Sequence, residues 1–281
     1  MGGVGVSLSS VGDVLTRIGT ARQVAFGTYF LGPGRVRDAL IDAARRGAVV
    51  SVTMQDVPYR DDGSRAASTR ASARALRAAG ANVTLLPSTS APFHLKAAVC
   101  DGVAFLDDRN WSRDDRETVL EDTDPADVAL VRDALGGRGS ANPALATRKD
   151  AALAREVALI DGAREVPVIV ETETLGASAL SAALRRHARS GAATTLVVGR
   201  GEADDPRERA LLRSLREAGV AVRRGGVDEK LALAGDTAWI GSANGTATLS
   251  GTGSQIDWGV VTTDATIVHA VRAALARDAA L

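Results

Sequence analysis

Two stretches of the chain carry chemically useful side chains at matched spacing. The first, FHLKAAVCDGVAFLDDRNW, begins at Phe93, and the second, VDEKLALAGDTAWIGSANG, begins at Val227. Laid over one another without a gap, His94 meets Asp228, Lys96 meets Lys230 and Asp101 meets Gly235. Asp107-Asp108 meets Gly241-Ser242, and Asn110 meets Asn244. Residues i and i+2 of an extended strand share a face, so His94 and Lys96 project together. The strand then reverses at Asp101-Gly102 in one copy and Gly235-Asp236 in the other, both two-residue hairpin signals. The returning strand brings an asparagine back beside the imidazole and the ammonium. That set suits a phosphoryl group: the ring nitrogen attacks or protonates, while Lys and Asn hold the phosphate oxygens.

The elements that must position these residues also read twice. In the first half, Val24 to Tyr29 predicts a strand, Gly34 to Arg46 a helix stopped by Gly47, and AVVSVTM from Ala48 a strand. Ser68 to Ala79 predicts a second helix, stopped by Gly80, with NVTLLP from Asn82 as the next strand. The second half repeats the order. Val166 to Glu171 is a strand, Ser178 to Ser190 a helix closed by Gly191, and Thr194 to Val198 a strand. Arg207 to Ala218 is a helix closed by Gly219, followed by a strand from Val220 to Arg223. "LRAAGANV" from Leu76 and "LREAGVAV" from Leu215 are near-duplicates. Such alternation implies α/β sheets carrying helices on their faces. GGRGSANP from Gly136 reads as a flexible connector, so the halves are placed at 1–140 and 141–281. Ala144 to Gly162 predicts a long helix on which Lys149 lies on a solvated face.

Composition bounds the function classes. The chain has 281 residues, of which 45% are apolar, enough for a core, and only 3% aromatic, so Ala, Val and Leu must build it. The formal net charge of zero argues against a bulk electrostatic grip on nucleic acid or an anionic membrane. Cys100 is the only cysteine, which excludes an intramolecular disulfide and a cysteine-cluster metal site. MGGVGVSLSS shows no basic region followed by an apolar run, so no signal peptide is expected there, and no segment has the length of a membrane span. Lys96, Lys149 and Lys230 are the only lysines among 34 basic residues, which makes the two at matched motif positions stand out.

These residues resemble the phospholipase D superfamily, including its cardiolipin synthase-like members, whose signature is His-x-Lys, four residues, Asp, then Gly-Ser-x-Asn. His94, Lys96, Asp101, Asn110, Lys230 and the Gly241-Ser242-Ala243-Asn244 run match it. The resemblance covers both halves. It implies two pseudo-symmetric lobes, each a mixed β-sheet flanked by helices, with the site at the lobe interface. It implies phosphodiester hydrolysis or phosphatidyl-type transfer on a phospholipid or other phosphodiester through a phosphohistidine on His94. Lys96 and Lys230 would be catalytic, Asn110, Asn244 and Ser242 would bind substrate, and Asp101 would give structural support. No metal and no other cofactor is implied. Since the two lobes already supply both half-sites, a monomer suffices for a centre, and a dimer is allowed.

Three departures stand out. Asp228 replaces the second histidine, Asp107-Asp108 replaces the first Gly-Ser, and Gly235 replaces the second motif's aspartate, with Asp236 adjacent. With a reference pKa of about 3.9, an aspartate is a poor acid at neutral pH unless its surroundings raise it. Asp228 is therefore either a replacement general acid or a charge that pairs with Lys230 or Lys96 and fills the phosphate slot. The second alternative makes the chain an impaired pseudoenzyme that binds an anion or a partner. A third reading, nuclease-like processing of nucleic acid, has abundant arginine for it and the neutral charge balance against it. His187 and His269 read as structural, Glu171 and Glu173 as solvent-exposed, and Trp111 and Trp239 as packed against the sheets.

Overall fold

The computed structural model describes residues 5–58, 63–87, 92–111, 118–199, 205–226, 228–247 and 255–280; Met1–Val4 and Val227, at the head of the second motif, lie outside them. The elements in chain order are β1 (Val6–Ser9), α1 (Val11–Thr20), β2 (Gln23–Thr28), α2 (Arg35–Arg45), β3 (Val49–Gln55), α3 (Ser64–Ala78) and β4 (Asn82–Leu86). Then come β5 (Ala97–Cys100), β6 (Val103–Asp107), β7 (Val119–Asp122), α4 (Pro125–Leu135), β8 (Leu145–Ala146), α5 (Lys149–Gly162) and β9 (Val168–Thr172). The chain ends with α6 (Ala179–Arg189), β10 (Thr194–Gly199), α7 (Pro206–Glu217), β11 (Ala221–Gly226), β12 (Leu231–Ala234), β13 (Thr237–Gly241), β14 (Gly259–Thr262) and α8 (Ala265–Ala279).

The chain divides into two compact units. Among the described residues, the first comprises 5–148 together with 255–258, and the second comprises 149–247 together with 259–280. The first sheet runs β1-β7-β6-β5-β2-β3-β4. Its β2, β3 and β4 are parallel, while β5, β6 and β7 return antiparallel. Within the second unit the strands run β11-β10-β9-β12-β13-β14, again with three parallel and three antiparallel. The strand order and sense are those of the first unit, so the sequence repeat is a repeat of topology.

Helices lie on both faces of each sheet, as alternating β and α elements require. In the first, α4 packs on β5, β2 and β6 and α1 on β5; in the second, α8 packs on β12, β11 and β13 and α5 on β14 and β13. The central strands are therefore buried on both sides. Every residue of Ala97–Cys100 and of Leu231–Ala234 is buried, and alanine fills the narrow gap between sheet and helix. Gly27 on β2 is needed for the same reason, because a Cβ there would run into Leu135 of α4 and the Phe93 ring.

The ends of the helices follow local chemistry. Ser178 caps α6 and exchanges hydrogen bonds with Ser181 in a capping box, while Asp124, Asp205 and Asp264 cap α4, α7 and α8 through their carboxylates. Gly80 and Gly219, the stops of the duplicated segments, both have φ of 97°, a conformation that glycine adopts without strain.

Several details differ from the expectations. The 136–144 stretch is pinned rather than flexible: Asn142 donates to Asp127, and Ser140 and Thr147 exchange hydrogen bonds. These ties leave it with the first unit, whose first stretch runs on to Arg148. α5 begins at Lys149, whose side chain is buried and donates to Thr246 Oγ1 at 2.6 Å, rather than facing solvent. No described helix is long and apolar enough to cross a membrane.

Candidate active site in two half-sites

In the first unit, His94 and Lys96 precede β5 rather than lying in its ladder. A short bridge holds them instead: Phe93 pairs with Ile256, His94 N–H donates to Ile256 O and Ile256 N–H to Pro92 O, each at 2.9 Å. On the other side, Asp107 N–H donates to Lys96 O at 3.0 Å. The segment stays extended, so the two side chains still share a face. Both are buried, Lys96 completely.

The bridge brings in a residue that the spacing did not reveal. Asp257 is fully buried, and its Oδ1 lies 2.7 Å from His94 Nδ1, although 163 positions separate the two in sequence. An ionised carboxylate only accepts, so Nδ1 carries the hydrogen and, in the neutral ring, Nε2 carries the lone pair. Lys96 Nζ lies 2.8 Å from Nε2 and donates to it. Its 2.9 Å approach to Nδ1 is no hydrogen bond in this tautomer, since Nδ1 offers no lone pair. Tyr29 stands edge-on to the imidazole, with ring centroids 4.9 Å apart, and its ring is 5.7 Å from Lys96 Nζ. The one sequence signal for Asp257 is an acid just ahead of the last strand of the repeat.

The replacement of Gly-Ser by Asp107-Asp108 has a structural account. Asp107 Oδ2 accepts from Trp111 N–H at 2.7 Å, and Trp258 Nε1 donates to Asp107 O at 2.8 Å. Asp108 Oδ1 accepts from Thr118 N–H at 3.1 Å. The two aspartates thus hold the turn that carries Asn110. Trp111, at φ 55°, packs on Phe26 and donates from Nε1 to Gly27 O, so its ring belongs to the core, as expected. Asp101 takes backbone N–H groups of Arg22 and Gln23 at 2.8 to 3.1 Å, which holds its carboxyl below the usual range and ties the β5–β6 turn to the start of β2. Cys100 beside it is buried, which pushes its thiol up to about 12 and removes it as a nucleophile at neutral pH.

In the second unit the frame recurs and its contacts change. Gly241 N–H donates to Lys230 O, as Asp107 N–H does to Lys96 O. Lys230 is buried, but its Nζ donates to the main-chain oxygen of Asp228 at 2.6 Å and lies 3.4 Å from Glu173 Oε2. Asp228 adopts φ 69°, a left-handed conformation, so its side chain does not follow the strand alternation that places His94 beside Lys96. Its carboxylate instead lies against Gly199, where a Cβ would collide with Oδ1. Asn244 Nδ2 donates to the same Glu173 Oε2 at 3.3 Å. Ser242 is fully buried at the end of β13. Asp236 does not take over Asp101's role: it is fully exposed and accepts from Arg272.

Among the other sequence candidates, His187 is buried and bonded through Nδ1 to Thr194 Oγ1, while His269 is exposed on α8. Trp239 is buried and donates to Ala152 O. The expected exposure of Glu171 is not observed, since β9 is covered on both faces and Glu171 is fully buried. Its carboxylate groups with those of Glu229 and Asp278, with ligand atoms within 4.8 Å of one another, an arrangement with the donor type and spacing for a cation. Glu173, also expected in solvent, is half-buried and holds Lys230 and Asn244.

No family model matches the chain, and no curated protein matches it. Among solved structures, the chain is similar to polyphosphate kinase from Porphyromonas gingivalis, at 16% identity and a TM-score of 0.65 over 94% of this chain. The match spans 45% of that kinase, so the chain corresponds to less than half of its length. Nuc from Salmonella typhimurium, a phospholipase D family member, matches at 15% identity and a TM-score of 0.39 over 47% of this chain and 92% of its own. NucT from Helicobacter pylori matches at 16% and 0.35 over 47% of this chain and 93% of its own. The duplicated sheet order and the likeness to polyphosphate kinase agree on one conclusion: the chain shares the fold of the matched part of that kinase, a phospholipase D-like fold.

Proposed function

We propose that the chain performs phosphoryl-group chemistry on phosphate esters, with His94 Nε2 as the nucleophile. The observation that carries this reading is the Asp257–His94–Lys96 chain, in which a buried carboxylate fixes the ring tautomer and a buried ammonium stands at the nitrogen that would attack. Polyphosphate kinase, of the same fold, lends analogy at the level of reaction class only.

For a phosphodiester, Nε2 attacks phosphorus, the P–N bond forms, and the P–O bond to the leaving group breaks with its electron pair. On substrate binding, Lys96 passes from Nε2 to a phosphate oxygen, which frees the lone pair for attack; there its charge offsets the charge that develops, and Asn110 adds an amide donor. Asp257 stabilises the ring as it becomes cationic. In the second step water attacks phosphorus and gives up a proton to solvent, and the P–N bond breaks with its electron pair returning to Nε2, which gives a phosphomonoester and restores the imidazole; an alcohol in place of water gives phosphatidyl-type transfer. In the second unit Lys230, Asn244 and Ser242 are the groups suited to a phosphate oxygen. The substrate class is a phospholipid or another phosphodiester. Asp228, with its carboxylate against Gly199, would serve as general acid only after leaving that position, so esters whose leaving group departs unprotonated are turned over best.

The test is hydrolysis of an aryl phosphodiester with a good leaving group by wild type and His94→Ala. Turnover that disappears in the variant supports the reading, and turnover that survives in it removes His94 as the nucleophile. A second reading, an anion-binding module without turnover, is favoured by Glu173 on Lys230. It predicts that inorganic phosphate raises the melting temperature of a protein that hydrolyses nothing.

A further inference from the structure

We propose that Glu173 is an internal competing anion that occupies the phosphate slot of the second half-site and sets which oxyanions enter it. The inference rests on the reading of Lys230 and Asn244 as phosphate ligands and goes beyond it.

Glu173 presents one oxygen, Oε2, to two donors at once: Lys230 Nζ at 3.4 Å and Asn244 Nδ2 at 3.3 Å. A phosphate oxygen held by an ammonium and a carboxamide would take the same two contacts. The side chain of Lys230 is only 3% exposed, and a buried ammonium requires an anion or other acceptors nearby. In the absence of ligand, the main-chain oxygen of Asp228 supplies one acceptor and Glu173 supplies the anion. Its own side chain is 42% exposed, so it has room to rotate into solvent when a stronger anion arrives.

The matching position of the first unit shows what the residue changes. β2 pairs Gly27 with Ala97, and β9 pairs Glu171 with Leu231. Two residues on, Tyr29 and Glu173 therefore occupy equivalent places beside the two lysines. Tyr29 brings an uncharged ring to Lys96, whose ammonium donates to His94. Glu173 brings a carboxylate to Lys230. A phosphate at the second half-site must break the Glu173–Lys230 ion pair and accept a nearby negative charge. Weakly held monoanions are thereby excluded in favour of phosphate groups that gain further contacts.

The experiment is a calorimetric titration with inorganic phosphate of wild type, Glu173→Gln, Glu173→Ala and Lys230→Ala, and of Glu173→Gln combined with Lys230→Ala. Melting curves without phosphate confirm that each variant is folded. The expected result is phosphate binding about 1.5–5-fold tighter in both Glu173 variants, the range of one partly exposed ion pair, with the gain erased by Lys230→Ala. Equal or weaker binding in either Glu173 variant, while Lys230→Ala still lowers binding, overturns the role of Glu173 alone. No effect of Lys230→Ala in either background overturns the phosphate-binding reading of the half-site itself. Neither outcome depends on turnover, so a failure of the His94 chemistry is read separately.

Discussion

The two half-sites use one frame and put different partners on its lysine. In the first, a buried lysine meets a histidine whose other nitrogen is held by a buried aspartate. In the second, a buried lysine meets a glutamate and a main-chain oxygen, and the residue aligned with the histidine has turned away in a left-handed conformation. The sheets beneath are the same in order and sense, so under the proposed function the fold does not decide which half reacts. Five side chains do. His94, Asp257 and Tyr29 leave a nitrogen lone pair beside a cation, whereas Asp228 and Glu173 offer only oxygen, and Glu173 neutralises the cation. Under the proposed function, a duplicated fold keeps a buried lysine in both copies while the nucleophile belongs to one.

The largest effect expected from breaking this asymmetry comes from Asp257. Asp257→Asn removes the charge that holds Nδ1–H and lets an amide N–H face the ring, which favours the wrong tautomer. The rate constant kcat on an aryl phosphodiester should fall by about 10²–10⁴-fold with little change in KM. An unchanged kcat would remove Asp257 from the account.

The lysines come next. Lys96→Ala deletes an ammonium at the attacking nitrogen and should lower kcat/KM by about 10²–10³-fold. Lys230→Ala deletes one that Glu173 already offsets and should cost about tenfold or less. Equal losses would erase the distinction between the half-sites.

Smaller effects separate the frames. Asp122 on β7 and Thr262 on β14 are matched: each accepts the backbone N–H of the aspartate that caps the following helix, at 2.8 Å from Asp124 and 3.1 Å from Asp264. Burial first, then the nearby Asp127 and Asp124 carboxylates, push Asp122 up to about 6, against a partial opposing effect of the Asp124 N–H. A carboxyl raised on folding favours the fold at low pH and loses that contribution as pH rises through the folded value. Asp122→Thr, which copies the second unit, should therefore raise the melting temperature above about pH 6, with the gain shrinking toward pH 4. A gain independent of pH would point to packing instead of charge.

Asp101→Gly copies the second unit's hairpin and is expected to do least. It loses the bonds to Arg22 and Gln23 but relieves φ 48°, so the net cost should be about 1 kcal/mol or less. Because Asp101 is held below the usual range, its contribution is present above about pH 4, the unfolded value, and is lost as pH falls through the lower folded one. Wild type and variant should therefore converge in acid melting curves.

Much of the frame was legible in the sequence because it is written locally. Helix stops such as Gly80 and Gly219, the Asp101-Gly102 turn and the duplicated segments each depend on a few neighbouring residues, and the repeat doubled every signal. Even so, α1 went unread, since Gly12 and Gly19 break its apolar pattern and its start rests on the Ser10 cap. The contacts that give the site its chemistry are not local. Asp257 reaches His94 through a two-residue bridge formed when a distant segment returns, and Glu173 reaches Lys230 because β9 ends beside β12. Lys149 read as solvated because its chain neighbours are charged, whereas its burial comes from Thr246, far along the chain.

The central claim, that His94 Nε2 attacks phosphorus, is tested most directly by intact-protein mass measurement during turnover of an aryl phosphodiester. The account predicts a mass increase equal to the phosphoryl-ester fragment, labile to acid as a phosphoramidate is, and absent from His94→Ala. Turnover at wild-type rate in His94→Ala, or an adduct that persists in it, would contradict the account.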